Sequence, residues 1–217
     1  LGRAIALRMG ASGARVVLHY RSRRAAAEEA AAAIRELGSE AELFQGDLVD
    51  GDAITRLMAC AAERWQRLDI LVNNAGGDVG SKGVTAENAG KPVGNDAIHI
   101  SLQDIRIVLD RNIMTCILCC REVAPEMMER KEGWIVNIGS IAGLNGNITE
   151  AIYSTAKAAV HEYTRCLAAL LRPYNVAANV IAPGPVQTPL FQAGKDDADY
   201  GPLLEGFPIP TGDPAGP

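Results

Sequence analysis

Short, nearly continuous apolar runs rich in Val, Ile and Leu alternate along this chain with longer stretches whose apolar residues recur at helical spacing. Strands that are apolar on both faces must be covered on both faces, and strands joined through helices run parallel. The alternation therefore predicts an α/β chain, a doubly wound parallel sheet with helices on each side. Strands are expected at 15–20, 40–45, 70–74, 134–138 and 176–182, and helices at 2–9, 23–37, 52–67, 102–131 and 152–171. The alanine-rich run at 25–33 keeps a polar face through Glu28, Glu29 and Arg35, and reads as a surface helix. A chain of 217 residues can form one domain with a real core, so 1–217 reads as a single unit.

Two segments break the rhythm. The stretch 77–100 is long, polar and glycine-rich, as loops with a task tend to be. Beyond Pro183 the chain is rich in Pro, Gly and Asp, and 189–217 reads as a substrate flap and tail. The net charge of −5 argues against nucleic acid or an anionic membrane as a partner. No apolar run approaches the ~18 residues needed to span a bilayer. Five cysteines, an odd number, speak for a reducing, cytoplasmic setting. Cys116, Cys119 and Cys120 lie in an apolar helical stripe with no His or acidic ligand beside them, so core packing is expected and no metal site.

In an open parallel sheet, ligands bind beyond the carboxyl ends of the strands. Arg21-Ser22, Gly46-Asp47-Leu48, Asn73-Asn74-Ala75-Gly76, Gly139-Ser140 and Pro183-Gly184 all fall on that edge, which predicts one extended site. The helix behind it carries Tyr153 and Lys157. Residues i and i+4 share a helix face, so phenol and ammonium point into one space. A free tyrosine titrates near about 10, and a fixed cation nearby lowers that value by favouring the phenolate. Ser140 adds a hydroxyl able to hold a carbonyl or alcohol oxygen. Together these groups can move a proton while a hydride is exchanged.

Asn73-Asn74-Ala75-Gly76, Asn112, Ser140, Tyr153-x-x-x-Lys157 and Pro183-Gly184-Pro185-Val186-Gln187-Thr188, in this order, resemble the short-chain dehydrogenase/reductase family over essentially the whole chain. The resemblance implies a Rossmann-like fold, an NAD(P) cofactor and a small alcohol or ketone substrate. It implies Tyr153 as general acid–base, and Lys157 as the group that tunes it and holds the nicotinamide ribose. Ser140 would orient the substrate oxygen, and Asn112 would hold a water leading to the lysine. From the residues alone, an Asn inside a helix could equally serve a neighbouring carbonyl. Cofactor contacts would come from Gly2, Arg21, Ser22, Asp47, Leu48, Asn74, Ala75, Gly76, Tyr153, Lys157, Pro183, Gly184, Val186 and Thr188. The family opens with a strand and a Thr-Gly-x-x-x-Gly-x-Gly turn, of which Leu1-Gly2-Arg3-Ala4 resembles only the last step. It closes with a helix and strand that have no counterpart here, so the chain reads as truncated at both ends, with neighbouring strands left unpaired.

NAD-dependent enzymes of this fold usually end the second strand with an acid, and here Tyr20 stands in its place. Arg21 and Ser22 suit a 2′-phosphate, so NADP is expected over NAD, although Arg21 could simply open the basic run Arg21-Ser22-Arg23-Arg24. Asp47 resembles the residue that takes the adenine amino group, whereas Asp50 better suits a helix cap. His19, His99 and His161 show no metal or triad spacing, and His161 is expected in a helix–helix contact. The polar loops 77–100 and 144–150 favour a sugar or polyol as substrate. A 3-oxoacyl thioester is the alternative within the family, and a non-catalytic NADP-binding sensor or scaffold the alternative outside it. Helices 102–131 and 152–171 are apolar on more than one face, for example at Ile113, Ile117, Leu118, Cys166, Leu167 and Leu170, which predicts a homo-oligomer packed through them.

Overall fold

The structure, a computed structural model, describes residues 1–78, 94–184 and 186. The order of elements is the expected alternation: α1 (Gly2–Ala11), β1 (Val16–Tyr20), α2 (Arg24–Glu36), β2 (Ala41–Gln45), α3 (Gly51–Trp65) and β3 (Ile70–Asn73). There follow α4 (Leu102–Leu109), a π turn (Asp110–Met114), α5 (Thr115–Arg130), β4 (Gly133–Ile138), α6 (Ala151–Leu171) and β5 (Val176–Ile181). All strand pairs are parallel. Among the described residues the ladder falls into two sheets, β1–β2 and β3–β4–β5.

That division corrects one expectation. β1 was expected to be buried on both faces, yet each of its five residues is only half-buried. Among the described residues it has a ladder partner on one side alone, in line with the expected unpaired strands, and its other edge faces β3 across a cleft. Three apolar clusters form, the smallest around Val108 of α4 and Ala156 of α6. A second joins Ala6, Ala31, Ile34 and Ala41, with Val16, Leu18 and Leu43 packed against it. The largest gathers α3, α5 and α6 onto β3–β5 around Ile54, Cys120, Met127, Ile135 and Leu171.

Local chemistry explains the boundaries. Asp50 caps α3, its carboxylate accepting the Asp52 amide at 3.1 Å, and Ser101 caps α4 by accepting the Asp104 amide at 3.0 Å. Gly13 at φ +85° lets the chain leave α1 and enter β1. The helix expected unbroken over 102–131 contains the wider π turn at 110–114, which carries the buried Asn112. Cys116, Cys119 and Cys120 are buried as free thiols, in line with core packing.

The packing also removes much of the argument for subunit contacts. Ile113 and Leu167 are buried, and Ile117 and Leu118 pack against the chain's own core. Only Cys166 and Leu170 of the six residues remain exposed. No helix among the described residues is long and apolar enough to cross a membrane.

Candidate active site

Lys157 is the hub. The spacing along α6 stacks it one turn beyond Tyr153, and its ammonium lies 5.7 Å from the centre of that ring. The side chain is 5% exposed, and Nζ donates to the Ile138 carbonyl at 2.8 Å. Burial penalises the charged form and pulls its pKa down to about 8. It is therefore a cation poised near neutrality rather than a permanently charged one.

Asn112 and the turn after β3 meet at the same point. Asn112 is buried, and its Nδ2 donates to the Gly77 carbonyl at 2.9 Å and the Val108 carbonyl at 2.8 Å. Its Oδ1 accepts the Gly77 amide at 3.1 Å. Asn112 thus serves a carbonyl of its own helix and also clamps the turn after β3 beside the lysine. A Cβ at Gly76 would stand 2.7 Å from Asn112 Oδ1 and 3.5 Å from Lys157 Nζ, so a side chain there would force the cluster apart. π turns widen a helix where a side chain must be re-aimed, and this one aims Asn112.

Ser140 stands just past the end of β4, in extended conformation, at the start of a short 3-10 turn (Ile141–Gly143). Its Oγ accepts the Ala142 amide at 3.1 Å, which leaves the hydroxyl hydrogen to be donated outward. Its own amide donates to Nε2 of His161 at 3.3 Å. Pro183 and Gly184 close the same corner, with the Pro183 carbonyl accepting the Ile141 amide at 3.0 Å. The expectation of a helix–helix contact for His161 is corrected here: it faces Gly139 and Ser140. Burial, then the charges of Arg165 and Lys157, hold its pKa below the ordinary value. The signal was present in the sequence, since Tyr153, Lys157 and His161 recur every fourth residue along one helix face.

A cleft of about 970 Å³ runs the length of the gap between the β1 and β3 edges, from Arg15, Trp65 and Arg67 at the start of the strands to Gly2, Arg21, Asp47, Leu48, Asn74, Ala75 and Gly76 at their carboxyl ends. A Cβ on Gly2 would fall 2.6 Å from Asn74 Nδ2, so the start of α1 and the turn after β3 are in close approach. The amides of the first turn of α1 have no intrahelical acceptor and suit an anionic group there. Arg21 and Asp47 face each other at 3.9 Å, each about half exposed. Their carriers are tied together by His19 Nε2 to the Gly46 carbonyl at 2.9 Å and Gln45 Nε2 to the Arg21 carbonyl at 3.3 Å. The glycine clearances and the cationic rim fit a dinucleotide.

Other predicted residues stand apart. Ser22 is exposed and is not brought to the cleft wall. Leu48 lines the cleft but is buried mainly as part of the large apolar cluster. Val186 is half-buried and off the cleft wall, while Pro185 and Thr188 lie outside the described residues, as do most of loop 77–100 and the segment 189–217. Sequence reading missed a buried polar network behind the site. Asn73 Nδ2 donates to Asn137 Oδ1 at 2.9 Å and to Cys120 Sγ at 3.3 Å, and Asn137 Nδ2 donates to Thr164 Oγ1 at 2.9 Å. An asparagine inside the apolar run Trp134-Ile135-Val136-Asn137-Ile138 was its one visible trace.

Comparison with known proteins bears on this geometry. A family model described as short chain dehydrogenase matches residues 1–199. A 3-oxoacyl-(acyl-carrier-protein) reductase of Synechocystis sp. is 32% identical over 209 residues, covering 96% of this chain and 77% of the relative. A cyclohexanol dehydrogenase of Rhodococcus sp. is 36% identical over 201 residues, 87% of this chain and 71% of that one. Among solved structures, an NAD+-bound xylitol dehydrogenase superposes with a TM-score of 0.73 at 30% identity, covering 90% of this chain and 69% of its own.

Proposed function

This chain belongs to the short-chain dehydrogenase family and is a nicotinamide-dependent oxidoreductase acting between alcohol and ketone, and we propose the residue roles that carry its reaction. The nicotinamide, when bound, supplies or receives the hydride. Tyr153 gives a proton to the substrate oxygen, or takes one from it. Lys157 stabilises the phenolate by charge, and Ser140 donates its hydroxyl hydrogen to the same oxygen. Asn112 holds the turn that borders Lys157. The observation that carries this reading is the convergence of Lys157, Asn112 and Gly76 from three separate elements beside Tyr153. A scaffold that merely bound a nucleotide would have no need of a buried ammonium beside a phenol.

For the cofactor we assign NADP, with NAD second. Tyr20 puts no carboxylate at the end of β1, and Arg21 stands at the cleft rim, half-neutralised by Asp47. A 2′-phosphate in reach of Arg21 would compete with Asp47 for it, at a modest gain because the pair is exposed.

The substrate is a small alcohol or ketone. The polar residues of 144–150 support a sugar or polyol, but one observation favours the second reading, an apolar alcohol or 3-oxoacyl thioester. Leu144, immediately after the 3-10 turn that Ser140 opens, is 64% exposed, and Ile148 is 85% exposed. Large exposed apolar side chains in the segment that follows the turn opened by Ser140 suit an apolar ligand better than a hydroxylated one. Assembly as a homo-oligomer through α4–α5 and α6 is supported by the exposed Met114 and Leu170.

The test is a panel of polyols, cyclic alcohols and 3-oxoacyl thioesters with each nicotinamide, followed by absorbance of the reduced form. Turnover that disappears in Tyr153→Phe supports the assignment. A Tyr153→Phe protein with undiminished turnover refutes it.

A further inference from the structure

Three consecutive amides at the end of β4 find three separate acceptors. Gly139 N donates to the Ile181 carbonyl at 2.7 Å, and Ile141 N to the Pro183 carbonyl at 3.0 Å, both on the β5 side. Ser140 N points the opposite way, as strand alternation requires. On that side the β3 ladder has already ended at the pair Asn73–Asn137. The acceptor that meets Ser140 is a side chain, Nε2 of His161 at 3.3 Å.

The imidazole is 4% exposed and fits into space that two glycines leave open. A Cβ on Gly139 would lie 2.1 Å from His161 Nε2, and one on Gly143 would lie 3.1 Å from Cε1. Both flanks of Ser140 are thus cut away around one ring. A methionine or leucine could fill that volume, but neither could accept the amide. Accepting it requires a neutral ring with its hydrogen on Nδ1.

We propose that His161 is a positioning residue for the reaction, fixing the Ser140 amide and with it the direction in which Ser140 presents its hydroxyl to the substrate oxygen. This rests on the reading of Ser140 given above. Small displacements of a positioned group are costly to rate, so loss of the acceptor should appear in kcat rather than in cofactor binding.

The experiment uses the full chain labelled with 15N, as wild type, His161→Met, His161→Gln and Ser140→Ala. Wild type should show a scalar coupling between the Ser140 amide nitrogen and His161 Nε2. In His161→Met the Ser140 amide should exchange with solvent at least roughly tenfold faster, while the Gly139 and Ile141 amides hold. On an alcohol found by the panel, kcat should fall roughly tenfold with KM for the nicotinamide kept within about twofold. His161→Gln, whose amide oxygen can replace Nε2 as acceptor, should recover most of both losses.

Absence of the coupling, equal losses in the Met and Gln variants, or undiminished kcat in His161→Met would overturn the proposal. If His161→Met does not fold, the double variant Gly139→Ala/His161→Ala refills the space without an acceptor. Low kcat in that folded protein supports the proposal, and wild-type kcat overturns it. Undiminished turnover in Ser140→Ala would instead remove the reading of Ser140. If no alcohol turns over, coupling and exchange alone decide whether His161 holds the amide.

Discussion

Replacing Lys157 by methionine should change how the stability of the protein depends on pH, by an amount the structure sets. The folded pKa of the lysine is about 8, against about 10.4 in an unfolded chain. Between those values the unfolded state binds more protons than the folded one, so stability rises with pH across the window. Below it the penalty is complete, and above it the penalty is gone. At about 1.4 kcal/mol per pKa unit, the cost is about 3 kcal/mol at pH ~7.5 and falls below about 1 kcal/mol at pH ~10. Lys157→Met removes that cost but leaves the Ile138 carbonyl without its donor, a loss of about 1–3 kcal/mol. The second effect does not depend on pH, and the first does. Wild type should therefore gain about 2 kcal/mol on the variant between pH ~7.5 and pH ~10, whichever is the more stable at the start. Urea unfolding without cofactor measures this, read by Trp134 on β4 in a Trp65→Phe background so that one region reports. Parallel pH dependences for the two proteins would show that the buried ammonium keeps an ordinary proton affinity, and the account of burial lowering its pKa would fall.

Other outcomes follow from the same geometry. Tyr153→Phe keeps the ring beside Lys157 and should abolish turnover while cofactor affinity, measured by titration, stays within a few fold. Arg21→Ala should weaken NADP by about 1.5 kcal/mol, the low end for a charged hydrogen bond because the guanidinium is half exposed, and leave NAD unchanged. Equal losses for both cofactors would make Arg21 a support of the loop. Gly76→Ala places a methyl against Asn112 Oδ1 and should lower nicotinamide affinity by roughly tenfold or more in calorimetry, corresponding to about 1.4 kcal/mol or more.

Much of the site was legible because helix periodicity is rigid. Tyr153 and Lys157 had to share a face, and Asp50 rather than Asp47 had to cap α3. Gly76 entered only with the run Asn73-Asn74-Ala75-Gly76, and its close approach to Asn112 and Lys157 appears in the structure. What escaped was geometry that leaves no periodic trace. The apolar pattern of 102–131 passes through the π turn without a break, since one widened turn displaces the stripe by a single residue. Arg21 read as a phosphate ligand from sequence neighbours, while its pairing with Asp47 depends on β1 and β2 lying side by side. His161 was assigned to the wrong contact because only the fold shows what stands opposite that face. The half-exposure of β1 agrees with the unpaired neighbouring strands expected from the sequence, where the apolar run of the strand itself suggested burial on both faces.

The separation of the cluster around Ile34 from the main one has a consequence for cooperativity. The smaller contains one large fully buried side chain, Ile34, among Ala6, Ala31 and Ala41, and shares no residue with the larger. Alanine burial contributes little free energy, so the first forty-odd residues should open at lower cost than the rest and melt as a unit of their own. The cleft residues are divided between these units: Gly2 and Arg21 belong to the weaker, Asn74 and Gly76 to the stronger. A dinucleotide that touches both binds only where both are folded, and mass action then couples their equilibria. Calorimetry without ligand should resolve two transitions, and saturating nicotinamide should raise the lower one until the two merge.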